Sequence, residues 1–375
     1  MKGAYLTIVD TANKKSRGVI QKIESQVFAF KSLGCSMDFF HFDDKIACLN
    51  YAKSPVRAKK SIFNKFSHDK LLYIKFLEED ANRDYDFLYI RYPKASPGFI
   101  SFLKQLKQQN PKISIINEIP TYPYEGQWKT LKSKFIQQLD YLYRGKLKLY
   151  VDRIVTFYGQ EEIFDIKTIP IGNGINTEVK RIIQRIPPPT KALRLICIAN
   201  LKFYHGYDRI IRGIAQNPTD YQVFFNIVGG GPEEVNLQNL VRELHLEENV
   251  IFHGFKYSDE LESLIAQSDI AIGTLGWHRA GISRDSALKT REYCAHAIPF
   301  ILSNTDQDFK MDFPFMLRVE ASDAPVSMSE LIAFYKKYSK IQDYQKLMYR
   351  YAVQNLDWKV KMYQVLDFVH STKNS

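Results

Sequence analysis

The segment 273–301 carries the residues best suited to binding a charged ligand. Its loop supplies small residues and backbone N–H donors: Gly276, Gly281, Ile282 and Ser283. Because Lys289 and Glu292 are three residues apart, a helix places this cation and this carboxylate on one face. The carboxylate can accept both hydroxyls of a ribose, while Lys289, Arg279 and the helix N-terminus can stabilise negative charge on a leaving diphosphate. A surface ion pair is the alternative interpretation of Lys289 and Glu292.

A second set of polar residues follows the apolar run 193–199 and precedes a predicted helix. It comprises Asn200, Lys202, His205 and Gly206. Loops at the carboxyl ends of parallel strands are where α/β sheets bind ligands. Lys202 and His205 can offer positive charge or hydrogen-bond donors to a diphosphate, and Gly206 permits a close approach of the backbone. A helix cap with solvated side chains is the alternative.

Two glycine-containing turns are weaker candidates. The run VGGGPEE at 228–234 follows an apolar strand, and Gly229 lacks the Cβ that would block a ligand. No Lys-Ser/Thr pair follows as a P-loop requires, so this loop is expected to shape the floor of a site or to form a structural turn. After the first strand, Arg17 and Gly18 open a helix whose N-terminus can bind an anion. The absence of a GxGxxG motif there disfavours a dinucleotide oxidoreductase.

In the first half of the chain, two proline-containing loops follow apolar runs, at 89–93 and 117–128. They contain polar and aromatic residues that suit an acceptor: Arg91, Tyr92, Glu118, Tyr122, Tyr124 and Glu125. Tyrosines can stack on a sugar ring or contact a lipid diphosphate, and Glu118 can orient or deprotonate an acceptor hydroxyl. Packing of the loops is an equally good interpretation.

The elements that must position these residues form two sets of alternating strands and helices, which predicts parallel α/β architecture. The expected strands are 4–10, 36–42, 86–90, 112–117 and 153–157, then 193–199, 223–228, 250–254, 270–275 and 299–303. A Pro187–Pro189 run after several glycines predicts a boundary within 171–192. Residues 1–170 and 171–356 are therefore expected to form two Rossmann-like domains.

The charge of the chain is divided unevenly. The net charge is +11, but residues 1–170 hold 28 Lys and Arg against 18 Asp and Glu, whereas residues 171–375 hold 24 against 23. The excess concentrates in Lys53, Arg57, Lys59, Lys60 and Lys65, and again from Lys129 to Arg153, where aromatic residues and leucines, Trp128 among them, accompany it. This composition suits an anionic membrane surface. A solvated charged face is the alternative, and the lack of any nucleic-acid-binding motif disfavours nucleic acid.

Composition narrows the class of protein further. The four cysteines show no CxxC spacing and are expected to be reduced packing residues. No stretch resembles a signal peptide or a membrane helix, so the chain is expected in the cytoplasm, free or peripheral on the inner face of the cell membrane. We expect no metal and no cofactor, because no DxD run ends a strand and basic side chains can neutralise a diphosphate.

With these motifs in order, the chain resembles glycosyltransferase family 4, in particular the bacterial enzymes that build surface polysaccharides on polyprenyl diphosphate. The resemblance rests on IPIGNGIN at 169–176, VGGGPEE, NVIFHGF and LKTREYCAHAIPFI, with YIRYP and EIPTYPYE in the first half. It implies a GT-B fold, with two Rossmann-like domains facing a central cleft and a last helix, within 357–375, that crosses back to the N-terminal domain. It also implies retaining, metal-independent transfer of a hexose-type sugar from a nucleoside diphosphate to a lipid-linked saccharide or similar acceptor.

The resemblance also suggests roles for particular residues. Glu292 corresponds to the second glutamate of the family's E-x7-E motif, which implies ribose binding, and Gly18 would lie near the donor phosphates or the acceptor. The chain departs from the family at Arg284, where the first glutamate is expected, and at Asn200 and His205, where the family has Arg and Lys. Lys202, Arg279 and Lys289 are the candidates to compensate. A nucleotide-sugar epimerase and a catalytically silent partner subunit are the rival interpretations.

Overall fold

A computed structural model describes residues 1–13, 16–50, 52–53, 64–124 and 131–373. Several residues of the predicted basic surface lie outside this part or have side chains outside it: Lys53, Arg57, Lys59, Lys60, Lys65, Trp128, Lys129 and Lys132. Glu125 also lies outside the described residues. The chain divides into two compact units, Met1–Asn173 with Trp358–Ser375, and Gly174–Asp357.

Unit 1 is built on a sheet of nine strands within the described residues. They are β1 Lys2–Asp10, β2 Ser36–Asp43, β3 Ile46–Leu49, β4 Ala52–Lys53, β5 Phe87–Arg91, β6 Ser114–Ile119, β7 Arg153–Thr156, β8 Glu162–Ile163 and β9 Ile166–Pro170. The order is β4-β3-β2-β1-β5-β6-β7-β9-β8. The six central strands, in the order β2-β1-β5-β6-β7-β9, are parallel. At the two edges, β3 and β4 on one side and β8 on the other are antiparallel to their neighbours. The strand β2 lies on one side of β1 and β5 lies on the other, so the sheet has a topological switch point between β1 and β5.

Helices cover both faces of this sheet. They are α1 Arg17–Ser32, α2 Asn64–Arg83, α3 Pro97–Gln109, α4 Leu131–Arg144 and, from the end of the chain, Trp358–Lys373, which is α11 in chain order. Ser96 and Pro97 start α3 as a good N-cap and first residue should, with the Ser96 hydroxyl accepting from the backbone N–H of Phe99 at 3.2 Å. The strand residues between the two layers are apolar and buried, so each face has its own core.

The last helix packs on α1, as the resemblance implies. Trp358, Met362, Val365 and Val369 are buried in the core that contains Phe30 of α1. They recur at intervals of three and four residues, which is the spacing of one helical face. Removal of this face from water is the physical reason why the end of the chain returns to unit 1.

Unit 2 has a fully parallel sheet. Its strands are β10 Ala192–Ile198, β11 Gln222–Val228, β12 Val250–Gly254, β13 Ile270–Ile272, β14 Phe300–Leu302 and β15 Met316–Arg318, in the order β12-β11-β10-β13-β14-β15. The helices are α5 Asp208–Ala215, α6 Glu234–Glu243, α7 Ser258–Ala266, α8 Leu288–Ala295, α9 Met328–Tyr338 and α10 Tyr344–Tyr351. The α/β architecture predicted from the alternating pattern is confirmed. None of the helices in the described residues has both the length and the apolar character needed to cross a bilayer.

Some strands are shorter than predicted, and the strand after α7 differs most. The apolar run 270–275 forms a strand over Ile270–Ile272 alone. The N–H of Gly273 still donates to the carbonyl of Ile301 in β14 at 2.8 Å, but the N–H of Leu275 donates to the carbonyl of His205 in another loop at 2.9 Å. The hydrophobic pattern continues past the strand because Leu275 is fully buried in the loop. The length of the apolar run here reflects how many residues are buried, and it does not show where the strand ends.

Helix α4 is held on unit 1 by its own buried carboxylate, Asp140. Asp140 accepts from the Tyr92 hydroxyl at 2.5 Å, from the backbone N–H of Ala95 at 2.7 Å and from the Tyr124 hydroxyl. Asp140→Ala should lower the unfolding free energy of unit 1 by about 2–4 kcal/mol, because it leaves buried donors without an acceptor. Hydrogen exchange read by mass spectrometry reports on the two units separately. The prediction is wrong if α4 exchanges no faster than in Gln138→Ala, a change at an exposed site on the same helix.

Candidate functional site

Four loops of unit 2 meet at one edge of its sheet, where β11, β10, β13 and β14 end. Backbone hydrogen bonds join neighbouring loops: Leu201 N to Gly230 O at 3.0 Å, Leu275 N to His205 O at 2.9 Å, Ser303 N to Thr274 O at 3.2 Å and Thr305 N to Ser283 O at 2.9 Å. The chain reverses its direction of growth between β10 and β13. Open α/β sheets bind ligands in the crevice outside the carboxyl ends of strands at such a switch point. This edge is the candidate site.

Glycines allow these loops to approach one another. Gly206 has φ of +68°, and a Cβ there would stand 2.9 Å from the backbone nitrogen of Gly276. Gly229 has φ of +118°, and its Cβ would collide with the carbonyl of Ala199. A side chain at either position is therefore excluded by both conformation and space. The two glycines predicted as donor-binding residues fix the shape of the loops around the switch point.

The predicted cation of α8 lies beside the loop that follows β10. The Lys289 Nζ donates to the Tyr207 hydroxyl at 3.2 Å. Burial lowers the pKa of Lys289 to about 8, although Cys197 and Asp285 act in the opposite direction. Tyr207 was not among the predicted site residues. It lies in an apolar environment and is almost completely buried, which made it indistinguishable from core in the sequence.

His205 is held neutral next to this lysine. Burial lowers the pKa of His205 to about 3, and the charges of Lys289 and Lys202 lower it further. The backbone N–H of Lys202 donates to His205 Nδ1 at 3.4 Å, so the ring proton is on Nε2. Lys202 itself is exposed, as is Asn200. The structure therefore brings Lys289 close to Lys202 and His205, which were predicted to bind a diphosphate from a separate segment of the chain.

Glu292 lies one turn further along α8 and is paired with a residue that was not predicted. Its carboxylate accepts from Lys180 Nζ at 3.1 Å, and its side chain is 47% exposed. A pair this exposed contributes little to stability. Lys289 and Glu292 do not bond each other, although they share the helix. The carboxylate of Glu292 is therefore accessible to a ligand hydroxyl at the same end of unit 2.

Arg279 has a different environment from the one expected. Its guanidinium donates to both oxygens of Asp208 at 2.8 Å, to Asp323 at 2.7 Å and to the carbonyl of Phe203 at 3.0 Å. The hydrogen bonds to Asp208 raise its pKa above the ordinary value, with Asp323 adding to the effect. Two carboxylates neutralise the guanidinium, so Arg279 ties the loops after β10 and β13 together and adds no net positive charge.

The rest of the 276–283 loop is held by its backbone and by an aromatic stack. Gly281 is exposed with φ of +67°, and the N–H of Ile282 donates to the carbonyl of Trp277 at 3.0 Å. Trp277 stacks on Tyr204 with ring centroids 4.4 Å apart, and its Nε1 donates to Asp285 at 2.7 Å. Ser283 is exposed and accepts through its carbonyl from Thr305. Trp277 and Asp285 were not predicted, since their partners become visible only in the fold.

The predicted base of unit 1 is enclosed rather than open. Glu118 is fully buried and accepts from Gln26 Nε2 at 2.5 Å, Arg91 at 2.6 Å and the Tyr89 hydroxyl at 2.8 Å, with Lys22 Nζ 3.7 Å away. Burial alone would raise the pKa of Glu118, but Lys22, Arg91 and these hydrogen bonds hold it below the ordinary value. A general base must reach the hydroxyl that it deprotonates. In this structure Glu118 instead orients Arg91, one of the predicted acceptor residues.

The remaining predicted residues of unit 1 fall into two groups. Tyr92 and Tyr124 are buried and donate to Asp140, so their hydroxyls are used in holding α4. Tyr122 is half-buried against Phe164, with ring centroids 5.8 Å apart. Arg17 and Gly18 are exposed in the first turn of α1, and Gly18 has open space where a Cβ would stand. Packing therefore does not explain the glycine at position 18.

The described residues include no group of three or more His, Cys, Asp or Glu side chains placed to hold a metal ion. The cations Lys202 and Lys289 lie at the candidate site, and the carboxylate of Glu292 is on the same helix as Lys289. Cations next to the first turn of a helix suit a phosphate group, and a nearby carboxylate suits vicinal hydroxyls.

Comparison with known proteins agrees with this arrangement. The family model "Glycosyl transferases group 1" matches residues 178–307, which contain the loops described above. No curated protein sequence matches the chain. The matched segment lies within unit 2, the unit that carries the candidate site.

Solved structures of low sequence identity share the fold over both units. The catalytic domain of starch synthase IV from Arabidopsis thaliana, bound to ADP and acarbose, gives a TM-score of 0.64 at 11% identity, covering 100% of each chain. HepE from Anabaena in complex with UDP gives 0.60 at 13% identity, covering 99% of this chain and 100% of that one. The lipopolysaccharide outer core galactosyltransferase WaaB gives 0.60 at 15%, covering 98% and 99%. The fold is that of the GT-B glycosyltransferases, which confirms the fold class predicted from the resemblance.

The lowered pKa of Lys289 gives a pH dependence that can be measured. A bound diphosphate favours the charged lysine, so affinity should fall as pH rises through about 8 and the free lysine loses its proton. The dissociation constant of the tightest-binding nucleoside diphosphate in a panel should rise toward about tenfold per pH unit above that point. Calorimetry over a pH series measures it.

The matched variant for this experiment is Lys289→Arg. A guanidinium stays protonated throughout the series, so the profile of the variant should be flat where that of the wild type rises. Parallel profiles for the two proteins would show that another group controls the pH dependence.

Proposed function

We propose that this chain is a retaining glycosyltransferase that transfers a hexose-type sugar from a nucleoside-diphosphate sugar to a lipid-linked saccharide or similar acceptor in surface polysaccharide biosynthesis. The observation that carries the proposal is the position of Lys289. It is a half-buried cation at the switch point of a parallel sheet, hydrogen-bonded to the neutral Tyr207 hydroxyl, in the segment that matches the group 1 family model. The sugar class, retention and the acceptor class rest on the family resemblance of the sequence motifs.

In this proposal the donor is held by unit 2. Glu292 accepts the ribose hydroxyls, and Lys289 and Lys202 contact the diphosphate beside the first turn of α8. As the bond from the anomeric carbon to the phosphate oxygen breaks, negative charge grows on the diphosphate and these cations stabilise it. His205 is neutral, so it can donate one hydrogen bond from Nε2 without adding charge. Removal of one such donor typically slows turnover by a factor of about 10²–10³.

Retention follows from attack on the face that the leaving group vacates. The acceptor hydroxyl then transfers its proton to the departing phosphate oxygen as the new glycosidic bond forms. No side chain acts as a covalent nucleophile in this scheme. The donor needs no metal and no further cofactor because lysines neutralise the diphosphate, and the buried Glu118 of unit 1 acts through Arg91 rather than on the hydroxyl.

The acceptor is assigned to unit 1, where Arg91, Tyr122 and the exposed start of α1 are the candidate contacts. Of these, Tyr122 presents a partly exposed ring that can lie along a sugar. A lipid-linked acceptor places the protein at the inner face of the cell membrane. WaaB is a galactosyltransferase of the lipopolysaccharide outer core, which is consistent with this acceptor class but concerns that protein alone.

Two rival functions give different results in one assay. An epimerase would convert the nucleotide sugar with no acceptor present, and a silent partner subunit would bind no donor. The silent subunit is motivated by Arg284, Asn200 and His205, which replace residues expected from the family. Calorimetry with a panel of nucleotide sugars, followed by donor turnover with and without acceptor, separates all three.

The ribose assignment predicts the effect of Glu292→Ala. Loss of charge-assisted hydrogen bonds worth about 1.5–3 kcal/mol should weaken nucleoside-diphosphate binding about tenfold to a hundredfold. Calorimetry measures the dissociation constant.

Two control variants make the Glu292 result specific. Lys180→Ala removes the same ion pair while keeping the carboxylate, so it should leave donor affinity within about threefold of the wild type. Glu330→Ala, an exposed carboxylate in the first turn of α9, should have no effect. If Lys180→Ala weakens binding as much as Glu292→Ala, the ion pair rather than a ribose contact is responsible.

Stereochemistry provides the test of retention. The product formed from an α-linked donor should carry an α linkage, as read from the coupling constant of its anomeric proton by NMR. A β-linked product would contradict retention. An inverting reaction would then require a general base that deprotonates the acceptor hydroxyl.

A further inference from the structure

Helix α4 presents large apolar side chains to solvent. Phe135 is 59% exposed and Leu142 is 70% exposed, and Leu149, in the short helical turn that follows, is 66% exposed. Phe135 and Leu142 are seven residues apart, so two helical turns place them on the same side of α4. Single exposed apolar residues are ordinary on protein surfaces, but a helical side that repeats them marks an interaction surface.

The opposite side of α4 explains why these residues cannot be turned inward. Asp140 is buried on that side, where it accepts from Tyr92, Tyr124 and the backbone of Ala95. Rotating the helix to bury Phe135 would expose these three donors and remove their acceptor. The apolar side is therefore fixed outward by a polar anchor.

The charges around this surface are positive. Lys134 and Lys146 are exposed, as is the ring of Tyr141. Arg144 is four residues after Asp140 and therefore lies on the anchored side, with its guanidinium 4.8 Å from the centroid of the Phe164 ring. Asp140 is the one acidic residue in the segment 131–151, and it points into the unit. At the far end, Asp165 pairs with Lys148 at 2.8 Å and Glu162 acts on the same lysine, so Lys148 is not counted.

We propose that the α4 surface, defined as Lys134, Phe135, Tyr141, Leu142 and Lys146, docks on an anionic lipid bilayer. Phe135 and Leu142 would enter the boundary between headgroups and acyl chains, while the two lysines contact lipid phosphates. Tyr141 has the apolar ring and polar hydroxyl that suit this interface. The proposal deepens the membrane-linked acceptor class proposed above by naming the surface that reaches the lipid.

Charge decides between this occupant and the alternatives. A second copy of the chain would bring two cationic surfaces together, which is unfavourable. A nucleic acid would use the cations but would leave Phe135 and Leu142 against a polar backbone. An anionic bilayer satisfies both the apolar and the charged residues of the same surface.

Vesicle binding tests the proposal with the full-length protein. Co-sedimentation should show binding to vesicles of phosphatidylcholine with phosphatidylglycerol, weakening as salt rises, and much weaker binding to phosphatidylcholine alone. Phe135→Gln with Leu142→Gln should lower the partition coefficient at least about tenfold. Lys134→Gln with Lys146→Gln should lower it about fivefold for each charge removed at low salt.

Matched variants control for loss of charge and of exposed apolar area elsewhere. Lys104→Gln with Lys112→Gln removes two exposed lysines of unit 1, and Met311→Gln with Val235→Gln removes two apolar side chains that are 70% and 62% exposed. Both pairs should bind vesicles as the wild type does. All variants alter exposed positions, and circular dichroism with thermal unfolding verifies that each is folded.

Three outcomes would overturn the proposal. They are absence of wild-type binding to anionic vesicles, wild-type binding by the Phe135→Gln, Leu142→Gln protein, and light scattering that shows this pair converting an oligomer into a monomer. Donor binding by calorimetry needs no lipid. If the protein binds the donor but no vesicles, the docking surface is wrong and the glycosyltransferase proposal stands. If it binds vesicles but no donor, the glycosyltransferase proposal is wrong and the docking surface stands.

Discussion

The candidate site depends on the loops after β10 and β13 meeting at backbone contact distance. Three features enforce this approach: the hydrogen bond from Leu275 N to His205 O, the absence of a side chain at Gly206, and Arg209, which is buried and donates to the carbonyls of Leu275 and Ala324 at 2.7 Å. Burial of a guanidinium is costly unless it is hydrogen-bonded in this way. These hydrogen bonds fix the two loops with respect to each other. The fold, rather than a ligand, therefore positions the side chains of Lys289 and His205.

Both units bury charged groups, but they do so differently. In unit 1 the carboxylate of Glu118 is enclosed by Lys22, Gln26, Tyr89 and Arg91, so its negative charge is compensated inside the protein. In unit 2 Arg291 is compensated in the same way by Asp306 and Asp308. Such compensated groups fix the geometry of the elements that carry them. They contrast with Lys289, whose charge remains available to bind an anion.

The pattern of apolar runs predicted ten of the parallel strands, because burial on both faces makes such a strand a continuous apolar segment. It missed the parallel strands β9 and β15 and the short strands β3, β4 and β8. It was sufficient to place Lys202, His205 and Lys289 in the loops and first helical turn at the carboxyl ends of strands. It could not predict which charges are already paired. Arg279 is neutralised by Asp208 and Asp323, which lie 71 and 44 residues away in sequence, and Glu292 meets Lys180, which lies 112 residues away. Partners this distant are determined by the fold. A cation that is available to a ligand and a cation that is already paired with carboxylates therefore look alike in the sequence.

The environment of Lys289 gives a physical reason to expect an anionic ligand. Among the ion pairs of the described residues, Arg279 and Arg291 each meet two carboxylates, whereas Lys289 meets the neutral hydroxyl of Tyr207 and feels Asp285 at longer range. Partial burial of a cation without a direct counter-ion costs stability, and the same desolvation lowers the pKa of Lys289. A phosphate next to the ammonium would repay it, since the interaction is stronger in a partly desolvated site than in water. The same desolvation that disfavours the charged form of Lys289 therefore increases the selectivity of the site for a group as charged as a diphosphate.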